Sequence, residues 1–218
     1  MCGNGVRCAA EFLYTHGVRR DCIRIDTPSA GQRVLHRVGD GLWQVEMGPF
    51  TAAPDAVGAV GLGGGPLLDV PLCAGGRAWR VHCVAVGNPH CVLFTHEPPP
   101  AGAELAAWGR ALGHHPAFPG GINVEFAQPI SPTGLAVTVW ERGSGATLAC
   151  GTGACAVAAA AVLTGRCPRG APILVQLPGG TLEVCVQRDD TVLLTGDAAA
   201  TFSGTVLIQP CKAPRGVV

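Results

Sequence analysis

Two cysteines of this chain, Cys2 and Cys150, each stand directly before Gly-x-Gly and a run of small residues that reads as a helix. A thiol at such a place faces the free N–H groups and the positive end of the helix, which favour a thiolate and can hold an anionic ligand beside it. The glycines let backbone approach that ligand closely. One cysteine with a histidine would point to acyl transfer. Two cysteines placed alike point instead to proton transfer at carbon, in which a thiolate removes a proton from a stereocentre and an opposite thiol returns one to the other face. That chemistry needs the two sulfurs in opposite protonation states, and N–H groups around a carboxylate to stabilise carbanion character.

The elements that must carry these cysteines are repeated. The pattern predicts helices over 6–15 and 154–164, closed by Gly17 and Gly165. After each comes a strand, 22–27 or 173–177, and a turn at Pro28 or Pro178. Two alternating strands then follow in each copy, 32–38 with 42–47 and 181–187 with 191–195, joined by turns at Gly39–Asp40–Gly41 and Asp189–Asp190. Gly48 and Gly196 lie equally far beyond their cysteines, so the two copies keep step. Duplication of one helix-plus-sheet unit is the simplest reading.

Ahead of Cys150 stand further strand candidates, 79–86, 91–94, 122–127 and 135–140, with a helix over 101–112, whereas only Met1 precedes Cys2. Equivalent halves would place roughly 70 further residues ahead of this sequence. The chain as written is then expected to fold poorly or be inactive, with an open sheet edge in its first half. The Gly-, Pro- and Ala-rich stretch 51–76 reads as a linker, dividing the chain into 1–76 and 77–218.

Composition bounds the partners. The 218 residues are 48% hydrophobic, and 15 basic residues balance 15 acidic ones without clustering, which argues against nucleic acid and anionic membrane surfaces. The longest apolar run, 154–163, is about half of what a membrane span needs, and no signal peptide opens the sequence. Eleven cysteines without an export signal imply reduced thiols in the cytoplasm. No CxxC pair occurs and the histidines are scattered, so no structural metal site is expected. Cys8 and Cys155, inside the helices, are expected to be buried thiols. Cys22, Cys83, Cys91, Cys167, Cys185 and Cys211 are accounted for by packing.

MCGNGVRC at the start, VGNPHCVLF (86–94), FPGGINVEF (118–126), WERGSGATLACGTGACA (140–156) and PGGTLEV…LTGDA (178–198) run in order along essentially the whole chain. Together they resemble the diaminopimelate epimerase family. The resemblance implies an α/β (α+β) fold of two pseudo-symmetric halves, each a curled, mostly antiparallel sheet around a central helix, the first half incomplete here. It implies an isomerase that interconverts LL- and meso-diaminopimelate in lysine and peptidoglycan-precursor synthesis, with no cofactor and no metal, acting as a homodimer.

Carried over by position, the resemblance makes Cys2 and Cys150 the acid–base pair. Gly3, Asn4, Gly151 and Thr152 hold the reacting amino-acid end, while Asn88 and Asn123 bind substrate. Arg142 pairs with the distal carboxylate. Glu141 meets a substrate amine, and with His90 it orients or helps deprotonate the thiols. Such a set suits a zwitterion with two amino-acid ends. Asp197 departs from the family's usual proline, a loop change. Two other readings stay open. One is a proline racemase-like two-thiol enzyme of the same fold, and the other is a binding protein that has lost turnover. Phenazine-type isomerases of this fold lack the cysteine pair.

Overall fold

Apolar and polar residues alternate through 42–47 and 191–195, and both segments are strands with one buried face in the computed structural model, which describes residues 3–27 and 31–207. In chain order the described elements are α1 (Gly3–Thr15), β1 (Cys22–Thr27), β2 (Gly31–Gly39), β3 (Leu42–Pro49), α2 (Pro54–Val57), β4 (Val70–Ala74), β5 (Arg77–Ala85) and β6 (Pro89–Phe94). Then follow α3 (Gly102–Gly113), β7 (Asn123–Ser131), β8 (Gly134–Glu141), β9 (Gly145–Thr147), α4 (Gly151–Leu163), β10 (Pro172–Leu177), β11 (Gly180–Val186) and β12 (Thr191–Asp197). One hydrogen-bonded path joins the strands in the order β1-β2-β3-β12-β11-β10-β8-β7-β6-β5-β4, with β9 beside β8. Pairing is antiparallel except for β8 with β10 and β6 with β7. This is a mixed α+β fold built on a large curled sheet.

The repeat read from the sequence reappears as α1-β1-β2-β3 and α4-β10-β11-β12. The last strands of the two copies pair with each other. Val45 lies opposite Leu194 and Glu46 opposite Leu193. The offset that carries Cys2 onto Cys150 carries Val45 onto Leu193 and Glu46 onto Leu194, so each of these pairs is the image of the other. The β3–β12 seam therefore has local two-fold character.

The sheet curls because α4 has no polar face to leave outside. Every residue from 151 to 161 is buried, and the helix packs against β5, β6, β7, β10, β11, β12 and α1. A helix apolar all round must be enclosed on every side. By contrast α1 is amphipathic, with Val6 and Ala10 buried and Phe12 exposed. Cys8, expected to be buried, is exposed. Its position two residues from both Val6 and Ala10 turns it to the opposite face of a 3.6-residue helix. Cys155 is buried as expected. Both helices also start earlier than expected, since Gly3 and Gly151 already belong to their first turns.

The stretch expected as a linker carries structure of its own. It forms α2 and β4, β4 pairs with β5, and Val57, Leu67, Leu72 and Ala74 join a second core with α3, Trp79 and Phe126. Its apolar residues find a surface to cover, which the glycine and proline content does not reveal. The expected turn at Pro28 and the cysteines Cys2 and Cys211 lie outside the described residues. Among the described residues no helix is long and apolar enough to cross a membrane.

One buried histidine ties stability to pH. His82 is buried on β5, and its Nδ1 accepts the Asp69 N–H at 3.1 Å, so the ring must keep a lone pair there. Burial, reinforced by the Arg166 charge, lowers it from 6.5 to about 4. The unfolded chain thus takes up a proton near pH 6.5 that the folded chain refuses until about pH 4. The stability linked to His82 is complete above pH 6.5 and drains away as pH falls through that window. After allowance for solvent screening, the loss is on the order of 2 kcal/mol. Urea denaturation at pH 7 and pH 4.5 should show His82→Asn losing less stability than wild type. Equal losses in the two proteins would contradict the assignment.

Candidate active site

Parallel β6 and β7 begin side by side, with His90 opposite Asn123, and antiparallel β8 ends at Glu141 next to them. Segments 88–90, 123–125 and 141–142 are thereby gathered at one end of the sheet, where α4 starts. Cys150 is the N-cap of α4, with extended φ −129° and ψ 114°, and its Sγ accepts the Gly153 N–H at 3.4 Å. The Thr152 hydroxyl lies 3.4 Å from the same sulfur.

The helix start alone would favour a thiolate, but Cys150 is only 6% exposed. Burial pushes the thiol up to about 12, and the Glu125 and Glu141 carboxylates add to that, outweighing the Thr152 hydroxyl and the Gly153 N–H. The order of these effects is physical: a helix end is worth about 1 kcal/mol, whereas desolvation can move a buried group by several pKa units. Cys150 is therefore a thiol at neutral pH.

The first turn of α1 meets that of α4. A Cβ built on Gly151 would lie 3.5 Å from Gly3 Cα and 3.5 Å from Asn4 Oδ1, and one built on Gly3 would lie 3.6 Å from Gly151 Cα. Both would press on Leu194 Cδ2, at 3.0 and 3.1 Å. A side chain at either place would have to push Leu194 aside by a few tenths of an ångström, so glycine suits both. Cys2, which precedes Gly3 in the chain, lies outside the described residues.

The other expected residues fall into two groups. In the first, His90 Nδ1 meets Glu125 Oε1 at 2.7 Å and its Nε2 meets Asn88 Oδ1 at 3.1 Å. In the second, the Asn123 carboxamide donates to Pro89 O at 3.0 Å and accepts the Arg142 N–H at 2.8 Å. Asn123 thus clamps the start of β6 to the end of β8. The exposed Arg142 guanidinium donates through Nη1 to Gly120 O and Gly121 O, at 3.0 and 3.3 Å. Glu141 accepts the Thr147 hydroxyl at 2.6 Å, held by the β8–β9 pairing. Among the described residues no group of three or more His, Cys, Asp and Glu is placed to hold a metal ion.

Two residues of this region were not anticipated. Arg7 is buried and donates to Gly3 O at 3.3 Å, Asn4 Oδ1 at 3.2 Å and Asp197 O at 3.4 Å, locking the first turn of α1. Because Asp197 contributes its carbonyl, its departure from proline leaves this contact in place. Glu125 is fully buried, and burial raises its carboxyl above the ordinary carboxylate value. A signal for it existed: a lone charge within Ile122-Asn123-Val124-Glu125-Phe126 has to find a partner.

Known proteins place the chain in a family. The family model for diaminopimelate epimerase matches residues 82–201. A diaminopimelate epimerase of Synechococcus elongatus is 44% identical over 208 residues, covering 94% of this chain and 72% of that protein. One from another Synechococcus strain is 47% identical over 210 residues, covering 94% and 73%. Among solved structures, a probable proline racemase from Agrobacterium radiobacter superposes with a TM-score of 0.69 at 16% identity, covering 97% of this chain and 69% of that one. A hydroxyproline epimerase from Agrobacterium vitis gives 0.67 at 17% identity, covering 90% and 63%. At such identities the two structures speak for the fold.

Proposed function

Because the chain belongs to the diaminopimelate epimerase family, we propose that it interconverts LL- and meso-diaminopimelate by proton transfer between two thiols, Cys2 and Cys150. The observation that carries this reading is the close approach of Gly3 and Gly151, which converges two helix N-termini on one point. The positive ends of the two helices can hold the substrate's α-carboxylate and stabilise the carbanion formed beside it. Cys150, protonated at neutral pH, is the acid in the first direction, and Cys2 is the base that takes the α-proton. After one turnover the protonation states are exchanged, which suits the enzyme to the reverse direction.

Gly3, Asn4, Gly151 and Thr152 hold the reacting end, and Asn88 binds substrate beside it. Arg142, already oriented by two carbonyls and by Asn123, takes the distal carboxylate. Glu141 receives an ammonium group. The cytoplasmic location, the homodimer and the place in lysine synthesis belong to the same proposal.

Proton NMR of LL-diaminopimelate in D2O tests it directly. Conversion to the meso isomer should introduce one solvent deuterium at the inverted carbon. Folded protein that neither exchanges nor converts this substrate would sink the reading. Turnover of proline instead would move the enzyme to the cyclic amino acids, which offer Arg142 no second carboxylate.

A further inference from the structure

Glu125, in the middle of β7, is a carboxyl completely enclosed by protein. Its Oε1 meets His90 Nδ1, and its Oε2 makes no hydrogen bond among the described residues. A buried carboxyl with one oxygen unpaired weakens a fold, and an apolar residue like its neighbours Val124 and Phe126 would serve the strand better. On its other side Glu125 is braced by α4, since a Cβ on Gly153 would fall 2.7 Å from Oε1. The contacts that lead away from Glu125 give it a role.

His90 is also fully buried, and its far nitrogen Nε2 touches Asn88 Oδ1. An amide oxygen only accepts, so Nε2 carries a hydrogen. The 2.7 Å contact between Nδ1 and Oε1 then holds one proton shared by ring and carboxyl. Whichever partner carries that proton, Nε2–H still points at Asn88. With Oδ1 engaged, the Asn88 NH2 group is turned the other way. Asn88 is partly exposed, whereas His90 and Glu125 are sealed in, so the chain of contacts runs outward from the core.

We propose that Glu125 is a positioning residue: through His90 it fixes the Asn88 carboxamide with its NH2 group presented to a substrate carboxylate. The function proposed above is assumed here. Asn123 needs no such support, because both ends of its amide are already tied.

A double-mutant cycle on the full chain reads the coupling. E125L leaves Nδ1 without a partner and should raise KM for diaminopimelate about tenfold, with kcat changed less than about threefold. E125Q, whose amide can donate to Nδ1 while Nε2–H stays in place, should bring KM back to within about threefold of wild type. N88A should raise KM by itself, and E125L added to N88A should raise it no further. Independent, multiplying effects of the two substitutions, or an unchanged KM in folded E125L, would overturn the proposal.

Imidazole 15N–1H correlation spectra need no turnover and stand even if E125L does not fold. At neutral pH His90 should be protonated at Nε2 in wild type and in E125Q. A wild-type ring protonated at Nδ1 alone overturns the proposal. An Nε2-protonated ring in a protein that does not convert diaminopimelate overturns the substrate reading instead, and leaves the Glu125–His90–Asn88 relay standing.

Discussion

Cys150→Ala should lower the rate of interconversion by about 10³-fold or more, equivalent to roughly 4 kcal/mol or more of transition-state stabilisation. The sulfur occupies the N-cap of α4, within reach of Thr152 and the Gly153 N–H. Serine cannot replace it well, because a buried hydroxyl is far too weak an acid to share a proton with a carbanion. The loss should be specific. Cys2 remains able to remove and return a proton on its own face, so solvent exchange at the α-carbon of one stereoisomer should persist without inversion. D2O exchange followed by chiral analysis separates the two events. Wild-type interconversion in Cys150→Ala would remove the two-thiol mechanism altogether.

Gly153→Ala should cost about 10²-fold in kcat/KM and about 1–3 kcal/mol in stability, although it adds a single methyl group. That methyl would lie 2.7 Å from Glu125 Oε1, 3.3 Å from Cys150 Cβ and 3.4 Å from its Sγ. Neither neighbour can yield cheaply. Glu125 is sealed in the core against His90, and Cys150 is held as a helix cap. Displacing either moves the sulfur or the Glu125–His90 pair, and sub-ångström errors in reacting geometry are expensive. Gly64→Ala is the matching control, since nothing lies within 4 Å of the added carbon. Thermal melts and steady-state kinetics on both variants give the answer. A Gly153→Ala protein with wild-type rate and melting temperature would mean that α4 slides freely at its start, contrary to the packing of Glu125.

Much of this could be read along the chain, because the rules involved act over a few residues. Hairpin turns at 39–41 and 189–190, strands of period two and helices opened by Gly-x-Gly are local signals, and the helices and strands around them lie within a few residues of their expected bounds. The place of Cys150 at a helix start was legible for the same reason, and so was the repeat that pairs it with Cys2.

What required the folded molecule acts between residues far apart in sequence. The seam of β3 with β12 that relates the two copies is such a case, and so is the meeting of Gly3 with Gly151. The exposure of Cys8 depends on which face of α1 meets the core, and the structure within 51–76 depends on the second core it covers. Glu125 is the clearest instance. Its strand shows a misplaced charge, but His90, 35 residues away, and the start of α4 supply the contacts that give the charge a role. Even the protonation of Cys150 reverses between chain and fold. A helix N-terminus favours an anion wherever it occurs, whereas burial and two carboxylates brought in from β7 and β8 exist only once the sheet has closed around α4.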